Sequence, residues 1–356
     1  MHPKYKKIYC CTPVAFHAND GFWIRDTGLI SNTLRTMGVE SKCIMPLPHY
    51  EDDQNEHLIR TEYKNLKSTA WWKSLGIDAV VLYSWGAPRY LPIARAIHKA
   101  GIRLIVHLDM SDRIHNWRNA TIRGFLKDLR INIMRRIHLN YADYITGSEQ
   151  LINVLKGSVF YGKKIANKCI NFPSPVSPKF IPSSQNKQYK VTCIGRWADE
   201  DQVKRPEFCI RTAQELVKID PDVIVEIYGR TGKTIEQIYN KTSIGKERIF
   251  LKGFIKNENL PLVYQSSMIN YCSSRSEGTH IASFEALCCG CSIVSPPRKE
   301  LNTLRWYTSK NSGQIAAKDT PQALAQAIAN ELIAWKKGER SAKKNCKRLA
   351  THFPYR

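Results

Sequence analysis

Hydrophobic and polar positions follow two alternating patterns along the chain, a short apolar run and then a longer stretch with helical spacing. In the first half, the apolar runs predict buried strands at Ile8–Cys11, Ala79–Tyr83, Arg103–Leu108 and Tyr144–Thr146. The helical stretches Gly28–Met37 and Pro92–Ala100 are each followed by a glycine, which is a common helix stop. Strands that alternate with helices in this way predict a parallel sheet with helices on both faces.

The pattern is interrupted by a segment rich in proline, serine and asparagine, which reads NFPSPVSP from Asn171 and PSSQN from Pro182. This composition is typical of a linker. The alternation then resumes, with strands and helices predicted at Lys190–Ile194, Pro206–Lys218, Val223–Tyr228, Arg248–Leu251, Asn259–Gln265, Met268–Cys272, Ser292–Ser295 and in a last long helix from Thr320-Pro321.

We therefore predict an α/β fold of two Rossmann-like domains, whose parallel sheets face each other across a cleft. The first domain is expected to span 1–172, the linker 173–188 and the second domain 189–335. A C-terminal helix at 336–356 is expected to pack back on the first domain. Pairs of this kind bind ligands beyond the carboxyl ends of their strands.

One segment of the second half, SSRSEGTHIASFEALCCGC at 273–291, places two glutamates eight residues apart. Glu277 lies where a predicted strand passes into a helix that begins near His280, and Gly278 lets the backbone approach a ligand. The unpaired amides of a helix N-terminus suit a phosphate. Glu285 lies further along this helix, where it either accepts hydrogen bonds from vicinal hydroxyls, such as those of a ribose, or faces water.

Two basic residues lie near the same predicted sheet edge. Arg196 follows the first strand after the linker in CIGRW, and Lys204 precedes the next helix in KRP. A guanidinium and an ammonium near two strand ends can clamp a diphosphate and stabilise it as it leaves. A surface arginine or lysine is usually a solvated charge, so each residue taken alone leaves both interpretations open.

Several motifs of the second half resemble, in their order and spacing, those of retaining glycosyltransferases of the GT-B fold, family 4. They are GR at 195–196, the lysine at 204, YG at 228–229, FLKGF at 250–254, and the glutamate pair followed by EALCCGCSIVSP. The resemblance covers most of 189–316, whereas the first half is similar in layout only. It implies a second domain that binds a nucleotide sugar and a first domain on the acceptor side.

The resemblance also implies a role for each matching residue. Glu277 would contact the donor sugar as a catalytic residue, Glu285 would hold the ribose, and Arg196 and Lys204 would contact the diphosphate. The donor is expected to be a UDP- or GDP-sugar, with no metal ion and no further cofactor. The remaining donor-binding positions are Gly195, Gly253, Phe254, Gly278, Thr279 and His280.

Candidates in the first half are fewer. His107 ends a predicted strand, where a lone histidine is usually structural, but the resemblance implies a catalytic position that faces the donor sugar. The segment GFWIRDTG lies between the first strand and the first predicted helix, where relatives carry a glycine-rich loop near the transferred phosphate. Gly28 is the one glycine carried over from that loop, and Arg25 is a candidate contact of the acceptor.

Basic and apolar residues interleave between Trp117 and Tyr141. The basic ones are Arg118, Arg123, Lys127, Arg130, Arg135 and Arg136, and the apolar ones are Ile122, Phe125, Leu126, Leu129, Ile133 and Ile137. We predict a helix that packs its apolar stripe on the sheet and turns its charges to solvent. The alternative is a face for an anionic membrane.

The composition is that of a globular protein, with 43% hydrophobic and 24% charged residues among 356. The 54 Lys and Arg residues outnumber 31 acidic ones and give a formal charge of +23, which points to an anionic partner. No apolar run approaches the ~20 residues that span a bilayer, and the N-terminus is not typical of a signal peptide. Eleven cysteines without zinc spacing favour a reducing compartment. We interpret Cys288, Cys289 and Cys291 as packing residues.

Rival functions are weaker. A nucleic-acid-binding protein is expected to carry a recognisable motif beside its charge. The pairs Asp199 with Asp201 and Asp220 with Asp222 match a metal-binding Asp-x-Asp pattern but are interpreted as exposed loop charges. A glycosidase needs two carboxylates that flank one bond. A nucleotide-sugar epimerase on the same fold is the closest enzymatic alternative.

We therefore expect a cytoplasmic retaining glycosyltransferase that acts in cell-surface glycan or glycolipid biosynthesis. Its acceptor would be a glycan or a lipid-linked molecule, and nucleic acid would not be a partner. The positive charge adds the expectation of a peripheral association with the inner face of an anionic membrane.

Overall fold

The computed structural model of the chain describes residues 5–18, 20–23, 25–51, 53, 55–84, 88–108, 121–147, 149–172, 175–199, 203–308 and 311–346. The chain forms two compact units, Met1–Pro175 and Val176–Arg356. The predicted limits of the domains and of the linker stay predictions.

The first unit is built on a parallel sheet with the strand order β3-β2-β1-β4-β5-β6-β7. Its strands are β1 (Ile8–Cys11), β2 (Cys43–Pro46), β3 (Leu58–Thr61), β4 (Ala79–Ser84), β5 (Arg103–Leu108), β6 (Tyr144–Gly147) and β7 (Cys169–Asn171). Its helices are α1 (Asp20–Trp23), α2 (Asp26–Thr36), α3 (Thr69–Ser74), α4 (Leu91–Lys99), α5 (Ile122–Tyr141), α6 (Glu149–Gly157) and α7 (Gly162–Ala166). The central strand β4 is buried along its whole length, as expected for a sheet covered on both faces.

The second unit has a parallel sheet with the order β10-β9-β8-β11-β12-β13. Its strands are β8 (Gln188–Ile194), β9 (Ile224–Tyr228), β10 (Ile249–Gly253), β11 (Ser267–Tyr271), β12 (Ser292–Ser295) and β13 (Gly313–Ile315). Its helices are α8 (Pro206–Ile219), α9 (Lys233–Asn240), α10 (Leu260–Ser266), α11 (Ile281–Cys288), α12 (Asn302–Tyr307) and α13 (Pro321–Lys336). The two sheets confirm the predicted pair of parallel α/β domains.

The predicted strands are present, as are the helices predicted at Gly28–Met37, Pro92–Ala100, Pro206–Lys218 and Asn259–Gln265, with ends that differ by no more than about two residues. In the described part of the helix predicted at 336–356, residues 337–341 are not helical and 342–346 are. The helix stops are confirmed, because Gly38 and Gly101 adopt φ of 80° and 77°, which glycine reaches without steric cost. The sequence pattern missed the short strands β2, β3, β7 and β13, which have three or four residues each. A run of that length is too short to show a period.

Each sheet has one point at which the chain order reverses. In the second unit, β9 and β10 lie on one side of β8 and β11 lies on the other, so the reversal falls between β8 and β11. In the first unit it falls between β1 and β4. At such a point, the connection that leaves one strand runs to one side of the sheet and the connection that leaves its neighbour runs to the other. An opening therefore remains beyond the carboxyl ends of the two strands.

The prediction for the basic helix was wrong about its orientation. The stripe residues Ile122, Phe125, Leu126, Ile133 and Ile137 of α5 are exposed. The buried face of α5 consists of Asn132, Arg135, His138 and Leu139. The stripe prediction began at Trp117 and Arg118, which lie outside the described residues. No helix in the described part of the chain is both long and apolar enough to cross a bilayer.

The described part of the C-terminal segment packs on the second unit. Arg340 donates two hydrogen bonds to the fully buried carboxylate of Glu331 on α13, at 2.5 and 3.0 Å. Further on, the side-chain amide of Asn345 donates to the carbonyl of Gly290 at 3.1 Å. A two-bond contact between guanidinium and carboxylate is among the strongest polar contacts, so it ties this segment to α13.

We predict that Arg340→Ala lowers the free energy of unfolding of the second unit by about 3 to 5 kcal/mol, because it leaves a buried charge without its partner. Urea denaturation of the purified chain measures the loss. The matched control is Arg211→Ala, which breaks an exposed pair with Glu207 and should cost no more than about 0.5 kcal/mol. Similar small losses in both variants would contradict the prediction.

Candidate active site

The candidate site lies between the carboxyl ends of β8 and β11. The chain leaves β8 at Ile194 and reaches Lys204 just before α8, and it leaves β11 at Tyr271 and reaches Glu277 before α11. These two connections bring a cation and an acid from distant parts of the sequence to one point. That point is the reversal of the second sheet, where open α/β sheets bind their ligands.

Lys204 and Glu277 form a direct ion pair. The ammonium Nζ of Lys204 is 2.5 Å from Oε1 of Glu277, and the side chains are 19% and 15% exposed. Burial by itself would raise the pKa of Glu277, but the charges of His280 and Lys204 and the hydrogen bond from Lys204 outweigh it. The pKa of Glu277 is therefore held below its ordinary value, and the carboxyl is ionised at neutral pH.

The two loops that carry this pair are joined by hydrogen bonds through the next residue, Arg205. Its guanidinium donates to the carbonyls of Ser273 and Ser274, at 2.6 and 3.3 Å, and to the carboxylate of Asp319 at 2.8 Å. In return, the hydroxyl of Ser273 donates to the carbonyl of Lys204 at 2.8 Å. These bonds fix the backbone of Lys204 against the strand end that leads to Glu277.

Arg205 also has an unusual backbone. With φ of 53° and ψ of 68°, it is the one described residue other than glycine with a positive φ. This left-handed conformation turns the chain sharply into α8 and points Lys204 back toward β11. Arg205 was not among the predicted site residues, because nothing in KRP distinguishes a bridging arginine from a surface one.

A chain of buried polar groups runs from the sheet to Glu277. The carbonyl of Thr192 on β8 accepts from the side-chain amide of Asn270 on β11 at 3.3 Å. Asn270 Oδ1 accepts from the hydroxyl of Ser283 at 3.2 Å, and Ser283 Oγ lies 2.7 Å from Nδ1 of His280. The other ring nitrogen of His280, Nε2, lies 3.9 Å from Glu277 Oε1.

The chemistry of this chain fixes which nitrogen of His280 carries a proton. A carbonyl can only accept, so Asn270 must turn its NH₂ group to Thr192 and its oxygen to Ser283. The hydroxyl of Ser283 then donates its one hydrogen to Asn270 and accepts a hydrogen bond from His280, which places a proton on Nδ1. The nitrogen that gains or loses a proton is therefore Nε2, which faces Glu277.

Glu285 does not face water. Its side chain lies on α11 and is 1% exposed, and the buried hydroxyl of Tyr264 donates to Oε2 at 3.5 Å. The structure thus excludes the solvated alternative that the sequence left open. A buried carboxylate needs polar partners, and the hydroxyls of a ligand could provide them.

The glycines at the strand ends have packing reasons of their own. A Cβ on Gly229 would lie 1.6 Å from the carbonyl oxygen of Gly195, and one on Gly195 would lie 2.9 Å from the ring of Trp197. Close approach of the chain after β9 to Gly195 therefore requires Gly229, and Gly195 leaves room for the Trp197 ring. Arg196, next to Gly195, is exposed at the end of β8.

At the end of β10, Gly253 adopts φ of 72° and its carbonyl accepts from the amide of Gly229 at 2.8 Å. Phe254 follows with 74% of its surface exposed. Arg196 and Phe254 are thus placed at the carboxyl edge by their strands, while the contacts described above join Glu277 to Lys204 and His280. Thr279 and His280 are buried just before α11, and Gly278 is half-buried.

In the acidic loop after β8, the side chain of Asp199 caps the next helix. The carboxylate of Asp199 accepts from the backbone amides of Lys233 and Thr234 at the start of α9, at 3.1 and 2.9 Å. The hydrogen bond from the Thr234 amide is the main reason that the pKa of Asp199 is lowered. Asp199 is therefore a helix cap, and Asp201 lies outside the described residues.

In the first unit, His107 is buried at the end of β5. Its Nδ1 lies 2.9 Å from the hydroxyl of Thr146 on β6, and its ring lies 5.2 Å from that of Tyr83 on β4. Burial lowers the pKa of His107 to about 4, so the imidazole is neutral at pH 7. In this state His107 can form hydrogen bonds but does not supply a positive charge.

Gly28, the glycine carried over from the loop of the relatives, is also the first residue of the helix predicted at Gly28–Met37. Gly28 lies inside the first turn of α2, which begins at Asp26. A Cβ there would lie 2.3 Å from the carbonyl oxygen of Phe22, so glycine is required for α1 to contact α2. Arg25 immediately precedes α2 in an extended conformation.

The cysteine-rich end of α11 belongs to the core. Cys289 and Cys291 are fully buried with Leu287 and Ile293, and the thiol of Cys291 donates to the carbonyl of Tyr264 at 3.0 Å. This confirms their interpretation as packing residues. Among the residues that the structure describes, no group of three or more His, Cys, Asp or Glu side chains is placed to hold a metal ion.

Residues 188–333 match the family model described as "Glycosyl transferases group 1". The match supports a glycosyltransferase. It spans the sheet of the second unit and includes Lys204, Glu277 and Glu285. No curated protein gave a significant match to the chain.

Solved structures of glycosyltransferases share the fold over nearly the whole chain. One is the pneumococcal O-GlcNAc transferase GtfA in complex with UDP and GlcNAc, with TM-score 0.69, 11% identity and coverage of 97% of this chain and 95% of that one. HepE from Anabaena in complex with UDP has TM-score 0.66, 12% identity and coverage of 98% and 95%. Sucrose-phosphate synthase from Thermosynechococcus elongatus has TM-score 0.66, 12% identity and coverage of 97% and 94%. These similarities establish the fold of the chain as GT-B.

We predict that Lys204→Met raises the pKa of Glu277. Burial raises this pKa, and the substitution removes one of the cations that lower it. In the unchanged protein the lowered pKa contributes stability above the ordinary value of 4.5, and this contribution is lost as the pH falls through the lowered pKa. A ¹³C NMR titration of the Glu277 carboxyl measures the change. Lys218→Ala, which breaks an exposed pair with Glu215, should leave this pKa alone. An unchanged pKa in Lys204→Met would refute the assignment.

We predict that neutral His280 carries its proton on Nδ1, which the ¹⁵N chemical shifts of the ring report directly. Ser283→Ala removes the acceptor of that proton and should shift it toward Nε2, which faces the negative charge of Glu277. Ser283→Thr keeps the hydroxyl and should keep the proton on Nδ1. The same ring shifts in all three proteins would show that the polar chain does not set the tautomer.

Proposed function

We propose that this glycosyltransferase retains the anomeric configuration and moves a sugar from a nucleotide-diphospho-sugar to an acceptor hydroxyl. The observation that carries the proposal is the ion pair of Lys204 and Glu277 at the reversal of the second sheet, with His280 beside it. An acid that stays ionised and a cation held by a separate loop supply the two charges that a sugar diphosphate needs. The group 1 match over the same residues supports this reading.

The proposed donor is a UDP- or GDP-sugar. HepE and GtfA have this fold and were solved with UDP, which supports a nucleotide diphosphate here. Lys204 and Arg196 are assigned to the diphosphate, together with the backbone at Gly195 and at 278–280 before α11. The dipole of that helix favours a negative charge at its start.

The other end of the nucleotide is assigned to two further places. Glu285 receives the ribose hydroxyls, with its carboxylate oriented by Tyr264. Gly253 and Phe254 flank the base, for which the exposed ring of Phe254 offers a stacking surface. Both positions lie within residues 188–333, which match the glycosyltransferase family model.

In the proposed reaction, the bond between the anomeric carbon and the phosphate oxygen breaks first. The acceptor oxygen forms its bond to that carbon on the same face, and its proton passes to the leaving phosphate. Lys204 and Arg196 stabilise the negative charge on that phosphate, and Glu277 stabilises the positive charge on the sugar. We propose this step without a metal ion, because the two cations and the dipole of α11 supply the charge.

The acceptor is proposed as a class of molecules, and its contacts are assigned to the first unit. His107, neutral at pH 7, is assigned to hydrogen bonding with the donor sugar, and Arg25 and Gly28 mark the acceptor side. The acceptor class is a glycan or a lipid-linked molecule of cell-surface glycan or glycolipid biosynthesis, which implies a cytoplasmic enzyme. A peripheral association with the membrane would bring it to such acceptors.

A panel of nucleotide sugars tests the donor. A true donor at 100 times its Kd should stabilise the native chain by about 2.7 kcal/mol, which a thermal melt detects. Stabilisation by duplex DNA or RNA, and by no nucleotide sugar, would favour the nucleic-acid alternative. A product that forms at full rate without any acceptor, with the sugar epimerised, would favour the epimerase.

We predict that Glu277→Ala, Arg196→Ala and Lys204→Ala each lower transfer by about 10²-fold or more, because each removes a charge that stabilises the transition state. Turnover of the donor identified above, with product detected by mass spectrometry, measures this loss. Circular dichroism should show an unchanged fold, and Lys218→Ala should keep full turnover. Unchanged turnover in all three variants would remove the site assignment.

A further inference from the structure

The outward face of α5 has a regular arrangement of side chains. Ile122, Leu126, Ile133 and Ile137 are between 39% and 83% exposed and follow at intervals of four, seven and four residues, which places them in one row. The row is about 22 Å long at 1.5 Å per residue. The exposed basic residues Arg123, Lys127, Arg130 and Arg136 flank it on both sides. An apolar row of this length is more than scattered surface hydrophobicity.

The inward face fixes this orientation. Arg135 donates to Oδ1 of Asn132 at 2.9 Å, and the hydroxyl of Tyr161 donates to the same oxygen at 3.0 Å. His138 is buried one turn further on, with its ring 6.5 Å from that of Tyr90. Rolling α5 to bury its apolar row would expose this hydrogen-bonded cluster, so the apolar row stays outside.

The charge on the outward face selects the kind of partner. Asp128 is the one acidic residue between 122 and 141, and it is not on the exposed face. Basic residues on both flanks of an apolar row match an anionic lipid surface, into which the apolar row inserts while the cations meet the headgroups. A groove for an apolar protein segment has no need of such a rim.

A cavity of about 630 Å³ adjoins this face. It is lined by Arg136 and Ile137 of α5, by Lys163 and Lys164 of α7, and by His98 and Tyr161. Three permanent cations around one opening, next to the apolar row, suit the phosphate of a lipid headgroup. The cavity and the row share α5, so a single lipid surface engages both.

We propose that the outward face of α5 and the adjoining basic cavity bind the surface of an anionic phospholipid bilayer. Ile122, Leu126, Ile133 and Ile137 insert among the lipids, and Arg136, Lys163 and Lys164 hold a headgroup phosphate. This site belongs to the first unit and shares no residue with the donor site, so it stands or falls independently of the proposed transfer.

Sedimentation with vesicles tests the proposal. The full chain should bind vesicles that contain phosphatidylglycerol at least about tenfold more strongly than vesicles of phosphatidylcholine alone, and salt should weaken the binding. Leu126→Ser with Ile133→Ser should lower the binding at least about tenfold. The matched control, Leu262→Ser with Ile333→Ser, changes two exposed apolar residues of the second unit and should bind like the unchanged protein.

A second arm tests the cavity. Replacing Lys163 and Lys164 by Gln should lower binding about fivefold for each charge removed. Inorganic phosphate at millimolar concentration should not compete, which distinguishes a headgroup in a bilayer from a free anion. Thermal melts check that every variant is folded, and donor stabilisation should be unchanged in all of them.

Three results would overturn the proposal. They are equal binding to both kinds of vesicle, equal losses in the α5 variant and its control, and competition by free phosphate. A dimer in analytical ultracentrifugation that the α5 variant dissociates, without vesicle binding, would show instead that this face meets a second copy.

Discussion

The site depends on keeping a mostly buried carboxylate ionised. Glu277 is 15% exposed, and burial works against its charge, so it needs cations at close range. One of them, Lys204, lies 73 residues earlier in the chain, on a loop that follows a different strand. The pair can form only if both loops are held in register, and this requirement explains the bonds from Arg205 to Ser273 and Ser274.

The same requirement extends outward from the pair. Asp319 accepts from Arg205 and also from Arg298, which in turn donates to the carbonyl of Arg275. The loops after β8, β11, β12 and β13 are thus joined around one carboxylate. On the inner side, the chain from Thr192 to His280 ties Glu277 to the middle of the sheet. Hydrogen bonds therefore hold the backbone in place on both sides of the acid.

The strands of the sheets and the charged residues at their ends could be predicted from the sequence. The contacts between those charged residues could not. Periodicity located β4, β5 and β8 because buried strands are nearly continuous apolar runs. Spacing and motif placed Glu277 and Lys204 at strand ends. Their contact, and the bridging role of Arg205, depend on residues about 70 positions apart, which no local pattern encodes. Ser283 and Asn270 look like ordinary polar residues until the fold aligns them.

The error over α5 has a different cause. A helical stripe shows which residues share a face, but it does not show which face points inward. The usual assumption is that the apolar side is buried. In α5 the polar side is buried where Arg135 and Tyr161 both donate to the side-chain oxygen of Asn132, and Tyr161 lies on a later segment of the chain.

Arg205 has a consequence for how this region can vary. Its left-handed backbone suits glycine or asparagine, whereas its three hydrogen-bonding partners require a guanidinium. Glycine would relieve the backbone strain but lose the three side-chain hydrogen bonds. Lysine would keep a positive charge, but its single ammonium could not reproduce the several donors of the guanidinium. Position 205 therefore has almost no acceptable substitute, although it touches neither sugar nor phosphate in the proposed reaction. The backbone and the hydrogen bonds of one side chain thus set opposite demands on the residue at this position.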